Sequence, residues 1–320
     1  MAPALPPIPA IPLLSAPTPI EELSRLRATL GGGPRLLVKR DDTIGFAFGG
    51  NKVRKMALVA ADARARGADT LITCGGVQSN HARVTAAAAA KLGLRCILVM
   101  NGARPAKLSG NALLDGLLGA EVRYVPTRDA RAAAMEEAAD ELRRGGRTPY
   151  VIPLGASTPL GAAGYVKALF ELIDQIPPPD IIVHASSSGG TQAGLVAGCA
   201  LADVPTRVIG ISADESSAAL EEEIRRILAG LPQLLECDDR ILRAADVTVD
   251  DGFVGEGYGI PTALSQEAIE MTARSEAIFL DPTYTSKAMA GLIARVRRGD
   301  FSDTRTVLFW HTGGQVGLFA

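Results

Sequence analysis

Residues 180–194 read Asp180-Ile181-Ile182-Val183-His184-Ala185-Ser186-Ser187-Ser188-Gly189-Gly190-Thr191-Gln192-Ala193-Gly194. Asp180 to His184 form an apolar strand, Ser186 to Gly190 a Ser/Gly loop, and a helix-like stretch runs on through Ala202. A buried strand feeding a helix through a short loop is the unit of a parallel sheet covered by helices. At such a helix start, free backbone N–H groups and the positive end of the helix dipole favour an anion. The glycines let the backbone come close, and the serines with Thr191 add hydroxyl donors. A plain strand-to-helix turn needs less than three serines and two glycines, so phosphate binding is the favoured reading. The loop is not a P-loop, because no Gly-Lys-Ser/Thr follows at the right spacing. It is not G-x-G-x-x-G either, which disfavours a nicotinamide cofactor.

The same alternation extends in both directions. Arg35 to Lys39, Thr70 to Thr73, Arg95 to Met100, Val208 to Ser212 and Thr306 to Trp310 read as short strands. Asn51 to Arg66, Asn80 to Leu92 and Ala130 to Arg144 read as helices, stopped by Gly67, Gly93 and Gly145. The pattern predicts an α/β protein with mostly parallel sheets and helices on both faces. Ligands in such sheets bind beyond the carboxyl ends of strands. That directs attention to the loops at 75–80, 186–190 and 311–314. There is no fixed-period repeat, and composition alone places no domain boundary.

The chain of 320 residues is long enough for about two domains. With 47% hydrophobic and 21% charged residues its composition is that of a globular protein. Lys+Arg number 33 against 35 Asp+Glu, so no basic excess points to nucleic acid or to an anionic membrane surface. Aromatics at 4% provide no base-stacking platform. Mean hydropathy is +0.18, much of it from alanine, and no apolar run reaches the ~18 residues of a spanning helix. The four cysteines, Cys74, Cys96, Cys199 and Cys237, form no C-x-x-C pair and read as reduced, mostly buried small hydrophobes. Met1 to Pro19 holds seven of the twenty prolines and no Lys or Arg, and reads as an extended arm lacking a signal-peptide pattern. The expected compartment is the cytoplasm.

Other residues that can carry chemistry fall into five clusters. In Gly49-Gly50-Asn51-Lys52, a lysine at a helix start is disfavoured in its charged form and suited to bond an aldehyde. The competing reading is a solvated basic helix start. In Gln78-Ser79-Asn80-His81, Ser79 or Asn80 serves as a helix cap, but the cluster holds twice what a cap needs. Asp281-Pro282-Thr283-Tyr284-Thr285-Ser286-Lys287 offers Tyr284 as a proton donor or acceptor. His311-Thr312-Gly313-Gly314 brings a hydroxyl to a strand end. Gly255-Glu256-Gly257-Tyr258-Gly259 places Tyr258 in a tight loop, either in a site or packed beneath it. His81, His184 and His311 have no partner motif, so no metal site is expected.

Taken in order, these motifs resemble the pyridoxal-phosphate enzymes of the tryptophan synthase β-like fold, or fold type II. More narrowly, they resemble the D-cysteine desulfhydrase / 1-aminocyclopropane-1-carboxylate (ACC) deaminase family. The resemblance runs from about Ala16 to the C-terminus and includes Lys39-Arg40-Asp41-Asp42. It implies two open twisted, mostly parallel sheets with helices on both faces. A large domain of residues 1–47 and 162–320 would carry a small inserted α/β domain of residues 48–161. Homodimers are usual for the family.

The resemblance also implies roles. Lys52 would hold the cofactor, pyridoxal 5'-phosphate, covalently and then act as base at the substrate Cα. Asn80 would bond the ring hydroxyl, and Thr312 would face the pyridine nitrogen. Ser187, Ser188, Gly189, Gly190 and Thr191 would hold the phosphate. Ser79 would bind the carboxylate of a small amino-acid substrate, with Gln78 and Thr285 at the substrate side. Tyr284 and Tyr258 would complete the catalytic set with Lys52 and Ser79. The implied reaction is β-elimination, with D-cysteine going to pyruvate, hydrogen sulfide and ammonia. L-cysteate sulfo-lyase is the alternative. ACC deaminases carry Glu and Leu where this chain has Thr285 and Thr312, which disfavours that activity, and a non-catalytic cofactor or amino-acid binder is less favoured still.

Overall fold

The computed structural model describes residues 5–320; the first four residues of the expected N-terminal arm lie outside it. Ten strands are formed: β1 (Ile20–Glu22), β2 (Arg35–Arg40), β3 (Thr70–Gly76), β4 (Arg95–Asn101), β5 (Glu121–Val125), β6 (Pro149–Val151), β7 (Ile181–Ser186), β8 (Arg207–Ser212), β9 (Thr248–Asp250) and β10 (Thr306–His311). The helices are α1 (Ser24–Thr29), α2 (Asn51–Ala65), α3 (Asn80–Leu92), α4 (Gly110–Leu117), α5 (Ala130–Arg144), α6 (Pro159–Gln175), α7 (Gly190–Leu201), α8 (Ser217–Ala229), α9 (Leu231–Leu235), α10 (Asp239–Arg243), α11 (Ala263–Glu276) and α12 (Thr285–Arg298).

Two sheets result. One has the order β1-β2-β10-β7-β8-β9, the other β5-β4-β3-β6. Every pairing is parallel except β1 with β2. Parallel strands are buried on both faces, and their residues divide by alternation. In the larger sheet Leu37, Ile182, Leu308 and Trp310 pack on the side of α6, α7 and α8. Leu36, Val38, Val183 and Phe309 pack on the side of α11 and α12. In the smaller sheet Leu71 and Leu98 join the alanines of α2 and α3. Ile72, Ile97 and Val99 face Met135, Ala138 and Ala139 of α5. Cys74, Cys96 and Cys199 are buried and all four cysteines are free.

The alanine-rich α3 shows why the expected helix forms. Ser79 caps it, its Oγ accepting from Ala82 N at 3.2 Å, and Gly93 ends it in the left-handed conformation. Its alanines leave room for the strands beneath it, and Ala82, Ala86 and Ala89 are almost fully buried.

The Lys39-Arg40-Asp41-Asp42 motif is structural. Asp41 is buried and accepts from Arg54 at 2.8 Å, Tyr165 Oη at 2.5 Å, Trp310 Nε1 at 2.8 Å and Thr18 Oγ1 at 3.0 Å. Glu171 bridges Arg54 and Lys39. Removing Asp41 would leave Arg54 with Glu171 as its remaining ion-pair partner and would unpartner the buried Tyr165 hydroxyl and Trp310 indole N–H. The Asp41 carbonyl also accepts from Gly50 N at 2.8 Å, so this cluster sets the turn that starts α2.

Candidate active site

A cavity of about 250 Å³ opens beyond the carboxyl ends of strands from both sheets. Its walls include Gly76 and Asn101 from the smaller sheet, and Ala185 to Gly189, Asp214, Thr312 and Gly313 from the larger. Strand ends meeting at one place is the arrangement expected of such sheets.

Lys52 lies in the first turn of α2 and lines this cavity. Its Nζ has neither an ion-pair nor a hydrogen-bond partner among the described residues. Desolvation lowers its pKa to about 8. The approach of α2 depends on glycine. A Cβ on Gly313 would stand 2.6 Å from Gly50 Cα, and one on Gly50 would stand 2.8 Å from the Thr312 carbonyl. That closeness lets Asn51 N donate to Thr312 O at 3.0 Å. Lys52 and the Thr312 hydroxyl therefore come to the same cavity.

The Ser/Gly loop forms the next wall. Gly189 has φ +73° and precedes the first turn of α7. Ser186, Ser187, Ser188, Gly189 and Thr191 line the cavity, and Ser186 Oγ is buried with no partner. Asn51 Nδ2 donates to Thr191 Oγ1 at 3.0 Å, tying this loop to the lysine helix. Gly190 does not line the cavity: it packs behind the loop, its N–H donating to Ser188 O at 2.9 Å and Ser157 Oγ at 3.3 Å.

Lys55, one turn after Lys52, is wholly buried under the same loop. Its Nζ donates to Gly155 O at 3.2 Å and Ser157 Oγ at 3.3 Å, and Ser157 Oγ pairs with Ser188 Oγ at 2.8 Å. Burial and the neighbouring Lys52 push the Lys55 pKa well down. Hydroxyls, first-turn N–H groups and a buried amine with no carboxylate among them make a donor set for a phosphate. The residues present thus fit the phosphate end of pyridoxal phosphate, and the unpartnered Ser186 hydroxyl and Lys52 amine are the observations that test it.

Asn80 supplies the other side. Its Oδ1 accepts from Arg83 Nη1 at 2.8 Å and Asn111 Nδ2 at 2.9 Å, which leaves Nδ2 to donate into the cavity. Ser79 Oγ caps α3 and lines the cavity, so the cap and ligand readings hold together; its own O–H stays free to donate. His81 Nε2 meets Thr73 Oγ1 at 2.8 Å, and that hydroxyl is itself donating to Ile152 O. His81 must then donate from Nε2, and burial keeps it neutral.

Tyr258 and Tyr284 stand side by side in the cavity wall with their hydroxyls hydrogen-bonded and their rings edge-on at 5.7 Å. Burial raises both phenols, Tyr284 well above the ordinary value, so both are neutral acids. Arg128 stacks 4.9 Å over the Tyr258 ring and pairs with Asp214 at 2.7 Å. Arg131 also lines the cavity, held by Asn101 Oδ1 at 3.4 Å, and no carboxylate pairs with it among the described residues.

Two expected substrate residues lie elsewhere. Gln78 turns toward α4, accepting from Asn111 N at 2.8 Å and donating to Ser109 O at 3.2 Å. Thr285 is fully buried as the first residue of α12, where its hydroxyl donates to Asp281 Oδ1 at 2.7 Å. Asp281 also accepts from the N–H groups of Thr283 and Tyr284 at 2.9 Å and of Thr285 at 2.8 Å, so it organises this turn. Conversely, Ser157, Arg128 and Arg131 carry no local signal in the sequence, and the i, i+3 spacing of Lys52 and Lys55 is the one signal available for Lys55. Arg128 stands in the turn after a half-exposed strand, and Arg131 in the first turn of α5, a stretch read only as a helix.

The family model described as "Pyridoxal-phosphate dependent enzyme" matches residues 11–313. A D-cysteine desulfhydrase of Klebsiella pneumoniae (strain 342) is 41% identical over 320 residues, covering 98% of this chain and 96% of that protein. The crystal structure of an ACC deaminase homologue superposes with TM-score 0.90 at 37% identity, covering 98% of this chain and 94% of its own. A fungal L-serine ammonia-lyase from Rhizomucor miehei, at 18% identity and TM-score 0.69, covers 95% of both chains and shares the fold. The chain belongs to the pyridoxal-phosphate-dependent enzymes of fold type II and, within them, to the D-cysteine desulfhydrase / ACC deaminase family. Two mostly parallel sheets with helices on both faces are what that fold class requires.

Proposed function

We propose that this protein is a pyridoxal-phosphate-dependent carbon–sulfur lyase that converts D-cysteine and water to pyruvate, hydrogen sulfide and ammonia. One observation carries the reading: a desolvated lysine without an anionic partner shares a cavity with two neutral, hydrogen-bonded phenols. Bound pyridoxal phosphate supplies an electron sink for the carbanion at the substrate Cα. Lys52 binds it and then takes the Cα proton. At pH 7 a pKa of about 8 leaves roughly a tenth of Lys52 neutral, against well under a thousandth of an ordinary lysine.

Ser79 and the N-terminus of α3 bind the substrate carboxylate. Ser187, Ser188, Gly189 and Thr191 hold the phosphate, with Gly190 and Lys55 behind them. Asn80 donates to the ring oxygen. Thr312 is uncharged, so it does not hold a proton on the pyridine nitrogen as a carboxylate would. The Tyr258–Tyr284 pair delivers a proton to the departing sulfur.

One observation favours a second reading, L-cysteate sulfo-lyase: Arg131 is a cavity-lining guanidinium without a carboxylate, suited to a sulfonate. The test is a parallel assay of purified, cofactor-loaded protein with D-cysteine, L-cysteine, L-cysteate and ACC. Sulfide with pyruvate from D-cysteine is the expected result. Sulfite from L-cysteate with little sulfide would replace the substrate reading and keep the cofactor.

We further propose that residues 48–161 form a small domain inserted in a larger one, and that two copies associate. The smaller sheet lies wholly inside that range. Leu113 and Leu117 of α4, with Leu318 and Phe319, are exposed apolar residues that support association. Among the described residues no helix is long and apolar enough to cross a membrane, which is consistent with a place in the cytoplasm.

A further inference from the structure

Arg83 follows Asn80 by one turn of α3 and is almost fully buried. Its Nη1 donates to Asn80 Oδ1 at 2.8 Å and to Asn111 Oδ1 at 2.6 Å; its Nη2 donates to Gly49 O at 3.1 Å. Asn111 Nδ2 completes the set, donating to Asn80 Oδ1 at 2.9 Å and to Gln78 O at 2.8 Å. A guanidinium has donors only, so the Asn80 atom that meets it is the oxygen. With two donors on that oxygen, the amide is locked with Nδ2 toward the cavity.

The Gly49 contact reaches the other half of the site. Ala47, Phe48 and Gly49 have φ of +49°, +60° and +67°, a strained run that leads straight into the helix of Lys52. One guanidinium therefore holds both the ring-side amide and the turn before the lysine. No carboxylate pairs with Arg83 among the described residues. Burying an unpaired cation is costly, and a residue needed only to fill space would be apolar.

We propose that Arg83 is a positioning residue for the cofactor ring, acting through Asn80 and Gly49 without touching the ring itself. The inference rests on the pyridoxal-phosphate reading of the cavity. Asn111 is its partner in the same task.

The test titrates apoprotein with pyridoxal phosphate and reads the visible band of the bound cofactor. Arg83→Lys, Asn80→Ala and the double variant are compared with the parent. Losing one charge-assisted contact predicts about tenfold weaker cofactor binding for Arg83→Lys, together with a displaced band. In the Asn80→Ala background the same change costs clearly less, because the two residues act in one chain.

A parent-like affinity and band for Arg83→Lys, or the full loss repeated in the Asn80→Ala background, would overturn the inference alone. No band in the parent would overturn it together with the cofactor reading. If Arg83→Lys does not fold, Asn111→Ser removes the other donor to Asn80 Oδ1. It is expected to weaken binding in the parent background and not in Asn80→Ala, and the reverse pattern counts against the inference.

Discussion

Gly313→Ala tests the crossing on which the site depends. Gly313 has φ +83°, where alanine costs about 1–2 kcal/mol. Its new Cβ would stand 2.6 Å from Gly50 Cα, where ordinary contact begins at 3.4 Å. The two backbones must part by about 0.8 Å, and overpacking of this kind costs about 1–3 kcal/mol more. That movement lengthens the bond from Asn51 N to Thr312 O and draws Lys52 away from Thr312.

Gly67→Ala is the control, because Gly67 has φ +70° with nothing within 4 Å of a new Cβ. Both variants are melted with saturating cofactor, and turnover of D-cysteine is measured. Gly67→Ala should lose stability from strain alone and keep its turnover. Gly313→Ala should melt lower still and lose about a hundredfold in turnover, the scale of a misplacement near 1 Å. If Gly313→Ala matches Gly67→Ala in both measurements, the close crossing does not align the site.

Two further predictions concern charge. Cofactor capture by apoprotein needs neutral Lys52, whose pKa is lowered to about 8. The rate should rise with pH, fall about tenfold per unit below that value, and level off above it; a rate that falls as pH rises through 8 has the wrong sign. Asp115 of α4 is buried with both oxygens unpartnered, and burial raises its pKa to about 7, partly opposed by Arg83. Since its ordinary value is 3.8, the folded state holds a proton that the unfolded state releases between those values. Stability is therefore lost as pH rises through that window, by about 1.4 kcal/mol per unit for a group fully in it. Asp115→Asn should gain more melting temperature over the parent at pH 8 than at pH 5, and the opposite ordering would contradict the raised pKa.

The elements legible in the sequence were those with local signals. Asn80–Leu92 and Ala130–Arg144 form as read because serine, glycine and alanine mark their ends and faces. The strand at Thr70 runs on to Gly76, since β4 pairs with it along its whole length, as far as Asn101 opposite Gly76. The elements β5, β6 and α4 are among those that went unread. β6 has only three residues, and β5 is a half-exposed edge strand whose Glu121 and Arg123 look like turn residues.

The site divides in the same way. Lys52, Ser79, Asn80, the Ser/Gly loop and Thr312 stand beside glycines or helix starts, which the sequence displays. Gln78 and Thr285 carry the same kinds of side chain, yet other partners claim them: Asn111 across 33 residues for Gln78, and Asp281, four residues earlier in the chain, for Thr285. Arg83 and Asn111 meet across 28 residues, and no local pattern announces such a pair.

The central claim is that Lys52, and not Lys55 three residues on, carries the cofactor. Trapping pyridoxal phosphate on the protein with borohydride, followed by peptide mass mapping, tests it directly. Label on Lys52 alone is the result predicted, because its amine faces the cavity while Gly155 and Ser157 engage Lys55 behind the phosphate loop. Label on Lys55, or no label on either lysine, would contradict it.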